Sequence, residues 1–286
     1  MNWVYHEIDF PVNTASKIRA IRGASSLQGA LGITENPEAG NVSISETGDA
    51  LHSPWYHIHP VDLRSLPKHQ PHRRPDENNP DAPVTTETTD ILKEVDTTLP
   101  TLLISECCLV YLSPTEADDV VHYFTKTLFA NAQRSPDTTI TVPLGLILYE
   151  PIRPDDPFGR TMVSNLATRG IHLQTLHRYA SLEAQRKRLS EQGFDRGQEA
   201  ADVDFIWERW VSENEKERVA RLEMLDEMEE WRLLARHYCI AWGWREGCVN
   251  NAIGTGAEGE APASSAASPL GREFVEWTGV EGQAGG

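Results

Sequence analysis

The chain has 286 residues, 39% of them apolar, and a formal net charge of -17. That length suffices for one large domain or two small ones, and the acid excess sets the chain against nucleic acid and anionic membrane surfaces, which need Lys and Arg partners. Residues 1–10 lack the apolar stretch of a secretion signal, and the most apolar run, 102–112, is short and broken by Glu106, so no segment is expected to span a bilayer.

In chain order, residues 3–10 read as a strand that Pro11 ends, and 13–21 as a short helix. Residues 23–54, rich in Gly, Ser, Asn and Pro, read as loop with at most short strands. A second strand is expected at 55–63. Residues 67–90 carry almost no apolar side chains and read as a solvated insertion, and 91–96 as helix-like. Residues 101–105 give a third strand ending at Glu106. Ser113-Pro114-Thr115-Glu116 is a capping box with proline at the first helical position. The helix behind it carries Val120, Phe124 and Leu128 four residues apart, a core-facing stripe. A fourth strand follows at 139–150. Helices 158–169 and 181–192 close on Gly170 and Gly193. Residues 202–235 are mostly helical and rich in Glu and Arg, a solvated face. A final strand spans 236–244. The tail from Asn250 is low in complexity apart from an aromatic island at Phe274 and Trp277, which has either the domain or a partner to dock on.

Strands alternating with helices give an α/β chain with a mostly parallel sheet, and such sheets bind ligands beyond the C-terminal ends of their strands. Three acids stand at those ends: Asp9, Asp62 and Glu106. Together they point to a cofactor of nucleoside type, whereas a single such acid is commonly a solvated turn residue. Four cysteines, Cys107, Cys108, Cys239 and Cys248, read as reduced, buried thiols, which places the chain in the cytoplasm. His57 and His59 share one strand face, but no third ligand stands in suitable spacing, so no metal is expected.

The stretch from Pro100 to Pro114, Pro-Thr-Leu-Leu-Ile-Ser-Glu106-Cys-Cys-Leu-Val-Tyr111-Leu-Ser-Pro, resembles the fourth-strand signature of the leucine carboxyl methyltransferase family. Asp156-Pro-Phe-Gly-Arg-Thr-Met162 with Asn165 and Leu166, the run from Ser181 to Leu189, and the run from Leu225 to Trp242 resemble the same family. Glu7-Ile-Asp9-Phe-Pro11 and Val61-Asp62-Leu63-Arg64 fit its second and third strands. The likeness runs in order over most of residues 3–245.

The resemblance implies a Rossmann-like class I methyltransferase with helical substrate-recognition insertions, using S-adenosyl-L-methionine to methylate the C-terminal leucine of the protein phosphatase 2A catalytic subunit. Asp9 would take the cofactor ribose, Asp62 and Leu63 would frame the adenine, and Glu106 would face the methionine end. Tyr111 is a candidate for the substrate carboxylate, with a core role left open. On this pattern residues 1–150 form a partial cofactor-binding region, 151–245 the recognition region with the final strand, and 250–286 a tail.

The family pattern also has an upstream basic segment, a first strand and a glycine-rich loop, which nothing before Trp3 supplies. The chain is therefore expected to be N-terminally truncated, with two strands lacking their shared neighbour. Two alternatives stand beside the enzyme: a non-catalytic module that holds the phosphatase tail, and a methyltransferase for small carboxylic acids.

Overall fold

The computed structural model describes residues 3–31, 42–68, 92–130, 132–135, 138–222, 227–251 and 274–284. It divides into two compact units, residues 1–96 and 97–286. The boundary expected after residue 150 would instead cut a paired strand of the second unit. The solvated insertion falls almost wholly outside the described residues, as does most of the tail.

In the first unit, β1 (Tyr5–Asp9) pairs in parallel with β4 (Tyr56–Pro60). The two-residue strands β2 (Ser43–Ile44) and β3 (Leu51–His52) add antiparallel partners, giving the order β1-β4-β3-β2. Helix α1 (Pro11–Gly23) opens on Pro11, whose fixed φ suits the first helical position. Its Ile18 and Ile21 pack on Leu51 and Ile58, the core of this unit. A second helix, α2 (Ser25–Leu31), lies where the sequence read as loop. It buries no residue, so it carries no amphipathic stripe to read.

The second unit has a four-stranded sheet in the order β5-β8-β10-β9: β5 (Thr101–Glu106), β8 (Leu144–Pro151), β9 (Gly197–Asp202) and β10 (Tyr238–Arg245). The β5–β8 pair is parallel, and β8–β10 and β10–β9 are antiparallel. A smaller antiparallel sheet holds β6 (Ala132–Ser135), β7 (Thr138–Thr141) and β11 (Cys248–Asn251). The α/β class therefore holds, and this strand order is consistent with a Rossmann-like sheet. The expectation of a mostly parallel sheet needs correction, since among the described residues only β1–β4 and β5–β8 run in parallel. The expected strand 139–150 is two strands, β7 and β8, broken at Val142 and Pro143. β1 and β5 each stand at the edge of their sheet.

Helix α3 (Pro114–His122) has the expected capping box, with Glu116 N–H donating to Ser113 Oγ at 3.3 Å and Ser113 N–H to Glu116 Oε2 at 3.0 Å. Beyond it the helix widens into a π-helical turn, Tyr123–Leu128, whose longer repeat breaks the four-residue stripe. Val120 and Leu128 are buried, but Tyr123 and Thr125 go inward and Phe124 is half-buried.

α4 (Pro157–Thr168) and α5 (Leu182–Glu191) end near Gly170 and Gly193, both at positive φ as expected of such stops. The Glu-rich stretch carries α6 (Val203–Arg209), α7 (Glu213–Ala220) and α8 (Met228–Ala235). No helix among the described residues is long and apolar enough to cross a membrane.

The aromatic island docks on its own domain. Phe274, Trp277 and Val280 pack with Trp242, Trp244, Ile147 and Phe205. Gln283 then holds β9: its N–H donates to Ala200 O at 3.0 Å, and its side chain bonds the Asp202 backbone N–H at 2.9 Å and carboxylate at 3.2 Å.

Candidate functional site

The expected site residues fall in two groups, one in each unit. In the first, the parallel β1–β4 register sets Asp9 opposite Pro60, and Val61 N–H donates to Asp9 O at 2.8 Å. Asp9, Asp62 and Leu63 thus share the C-terminal end of one strand pair, the place where open α/β sheets take ligands.

Asp9 is half-buried, and its Oδ1 accepts from Phe10 N–H at 2.7 Å and Asn13 Nδ2 at 3.0 Å. Local bonds therefore fix its orientation at the start of α1. Asp62 accepts a fork from Arg64, with Nη2 at 2.7 Å and Nε at 2.9 Å, which holds its carboxyl below the usual carboxylate range. Its backbone oxygen accepts from Ser65 N–H at 2.8 Å, turning the chain into the short 3-10 helix Leu63–Lys68. Leu63 is half-buried at its start.

In the second unit, Glu106 is exposed at the end of β5, opposite Tyr149 of β8. The next residue, Cys107, stands at φ 43°, left-handed for a residue with a side chain, and its N–H donates to Tyr149 O at 2.8 Å. Such backbone strain is characteristic of functional turns. The turn carries the chain to Tyr111, which is 45% exposed and so is not core. Gln174 Nε2 donates to Tyr111 O at 2.6 Å.

Tyr149 and Tyr238 stack behind this turn with ring centroids 5.5 Å apart. Partial burial, together with the neighbouring Cys107, raises the hydroxyl pKa of Tyr111, Tyr149 and Tyr238, so all three stay protonated donors at neutral pH. Sequence reasoning missed Tyr149 and Tyr238. The signal was available, since each lies near the end of a strand that pairs beside Glu106.

The cysteine expectation also needs correction: only Cys239 is buried, Cys107 and Cys108 are half-buried, and Cys248 is exposed. The two strand-face histidines have more company than spacing implied, because strand pairing brings His6 and His52 beside His57 and His59. Among the described residues, no group of three or more His, Cys, Asp or Glu is arranged to hold a metal ion.

Carboxylates at strand ends have the chemistry to accept from ribose hydroxyls, an adenine amino group or an ammonium. Asp9 and Asp62 in the first unit, and Glu106 in the second, each present such a carboxylate.

No family model matches the chain. Over 250 residues it is 65% identical to Leucine carboxyl methyltransferase 1 of Aspergillus fumigatus, a match covering 85% of this chain and 58% of that protein. It is 61% identical to the protein of the same name in Emericella nidulans, covering 85% of this chain and 59% of the relative. Leucine carboxyl methyltransferase 1 homolog of Arabidopsis thaliana is 32% identical over 93% of this chain and 70% of its own length. The chain thus spans under two thirds of the two fungal relatives. Haemonchus contortus phosphoethanolamine N-methyltransferase 2, solved with S-adenosyl-L-methionine, aligns at 10% identity with a TM-score of 0.33, too loose to carry an argument.

Proposed function

The chain belongs to the leucine carboxyl methyltransferase family, and on that premise we propose that it takes part in transferring a methyl group from S-adenosyl-L-methionine to the C-terminal leucine carboxylate of the protein phosphatase 2A catalytic subunit. The observation that carries this reading is the 65% identity over 250 residues to a relative of that name. The cytoplasm is proposed as its compartment, in keeping with four free cysteines.

The bound sulfonium cofactor would supply an activated methyl group. The chain's own task is positioning. A C-terminal carboxyl has a pKa of about 3.5 and is already ionised at neutral pH, so no general base is required. Asp9 would accept from the ribose hydroxyls with the oxygen its local bonds leave available. Asp62 and Leu63 would frame the adenine, with the Arg64 fork holding Asp62 ionised. Glu106, exposed at its strand end, would take the ammonium of the methionine end. Tyr111 would donate its hydroxyl to the substrate carboxylate, and the Tyr149–Tyr238 stack would offer an apolar wall to the leucine side chain. Opposite charges vanish as the new C–O bond forms, so a site that excludes water and holds the reactants in line favours transfer.

A second reading, a module that holds the phosphatase tail without methylating it, is favoured by one observation: the edge positions of β1 and β5. One pair of measurements separates the two. S-adenosylhomocysteine is titrated into the 286-residue chain by calorimetry, and methyl transfer is followed to a peptide ending in leucine. Binding with transfer supports the enzyme, peptide binding without either supports the module, and a folded chain that binds neither overturns both.

A further inference from the structure

The first unit holds a cluster that the methyl-transfer reading leaves unused. Four imidazoles from three strands, His6 of β1, His52 of β3, and His57 and His59 of β4, lie on the sheet face opposite Ile58 and Leu51. His6 and His57 stack with centroids 4.6 Å apart, and His6 and His59 at 5.3 Å. His6 Nδ1 meets His59 Nε2 at 3.0 Å, and His52 Nδ1 meets His57 Nδ1 at 3.3 Å. Each of these is a hydrogen bond only if one ring presents N–H and the other a bare nitrogen. A proton on both rings of a pair puts two donors, and two like charges, in contact.

The charged groups around the cluster are few. Among the described residues Glu94, 3.6 Å from His52 Nδ1, is the anion paired with it. Lys93 and Asp62 line the same cavity of about 340 Å³ with His52, His59 and Glu94, and Asp62 is already engaged by Arg64. One carboxylate offsets one added proton, and a second proton has no further counter-charge among the described residues. The same β1–β4 pair ends at Asp9 and Asp62.

We propose that this four-histidine cluster is a proton-operated latch: neutral, it holds β1 against β4, and under mild acid it parts them and withdraws Asp9 and Asp62 from the cofactor. The second half of this statement rests on the cofactor role proposed above; the first does not. Burial is the main cause that pushes His6 and His59 down to about 4, followed by the neighbouring imidazoles, and His57 is lowered for the same reasons. For histidines whose folded value lies below the free value near 6.5, stability is complete above that value and is lost as pH falls from 6.5 toward 4. Asp49 and Asp62, whose folded values are also lowered, act only below the ordinary carboxylate range, under this window. Each extra proton bound on opening multiplies the open population about tenfold per pH unit, so His6 and His59 together give about a hundredfold.

The test is amide hydrogen exchange on the full chain from pH 7.5 to 4.5, corrected for intrinsic rates, with titration of the histidine ring protons by NMR and of S-adenosylhomocysteine affinity in the same buffers. The latch predicts opening of β1 and β4 with a slope near two protons while β8 and β10 stay protected, and His6 and His59 titrating far below 6.5. In the H6Q/H59Q double variant the slope falls toward zero. If that variant does not fold, the single variant H59Q must show a slope reduced toward one. Ring titrations near 6.5, or a slope unchanged in the variants, overturns the latch. If affinity stays constant while β1 opens, the link to the cofactor is overturned. If S-adenosylhomocysteine binds at no pH, the cofactor role is what fails, and exchange alone decides the latch.

Discussion

Arg188 Nη1 donates to Glu150 Oε2 at 2.7 Å, and the two side chains are 0% and 1% exposed. The pair joins α5 to β8 inside the second unit. The guanidinium also lies over the Tyr179 ring at 4.2 Å, and Tyr179 donates to Asp118 Oδ1 at 2.6 Å. Arg188 Nε and Nη2 and Glu150 Oε1 are buried without partners among the described residues, so the pair is incompletely satisfied.

Removing one member leaves a buried charge uncompensated, at a cost of about 3–5 kcal/mol. R188M is therefore expected to lower the denaturant midpoint strongly. The double variant R188M/E150L should recover much of that loss, because neither charge remains. Equal destabilisation of the single and the double variant would refute this account.

Cys107 has its thiol pushed up to about 11, chiefly by burial and secondarily by Glu150 and Glu106. At pH 7.5 its thiolate fraction is on the order of one in a few thousand, against about one in ten for a free thiol. Iodoacetamide labelling followed by mass spectrometry should find Cys107 hundreds of times slower than a free cysteine peptide, and about tenfold faster per pH unit until near 11. Because the folded value is raised, the thiol's contribution to stability is complete below about 8.5 and declines above it. Labelling at the free-thiol rate would contradict the environment described.

A side-chain carbon at Gly145 would stand 2.8 Å from the Phe274 ring and 3.0 Å from the Trp277 indole. G145A is expected to cost about 1–3 kcal/mol through overpacking. Its specific signature is faster proteolysis and hydrogen exchange in residues 274–284. Unchanged protection there would mean that the tail docks elsewhere in solution.

S113A removes the acceptor that caps α3 and should cost about 1 kcal/mol in denaturant unfolding. E116Q, which keeps a side-chain oxygen able to accept from Ser113 N–H, should cost less. The reverse order would count against the reciprocal cap.

Much of the frame was legible because it is encoded locally. The Ser113 cap, Pro11 at a helix start, and the positive-φ stops at Gly170 and Gly193 each follow from one residue's own backbone or side-chain chemistry. The strand-end acids were legible for a similar reason, since alternating apolar runs show where strands stop. What escaped notice lacked that pattern. Strand β9 reads Gly-Gln-Glu-Ala-Ala-Asp, with little intrinsic strand preference, and is held by pairing with β10. The π-helical turn shifted the buried side of the chain by one residue and so spoiled the reading of Phe124.

The sequence by itself determined the α/β class, most element positions and the acids at strand ends, because periodicity, capping and turn chemistry act over a few residues. Only the tertiary structure decided which side chains meet. Arg188 reads like any other basic residue of α5, yet β8 and Tyr179 enclose it. His57 and His59 read as a lone pair, yet β1 and β3 bring two more imidazoles to the same face. Asp9 and Asp62 come to one end of the first unit, and Glu106 and Tyr111 to one end of β5 in the second. Strand pairing joins residues far apart in the chain, and nothing local in their sequence specifies the partner.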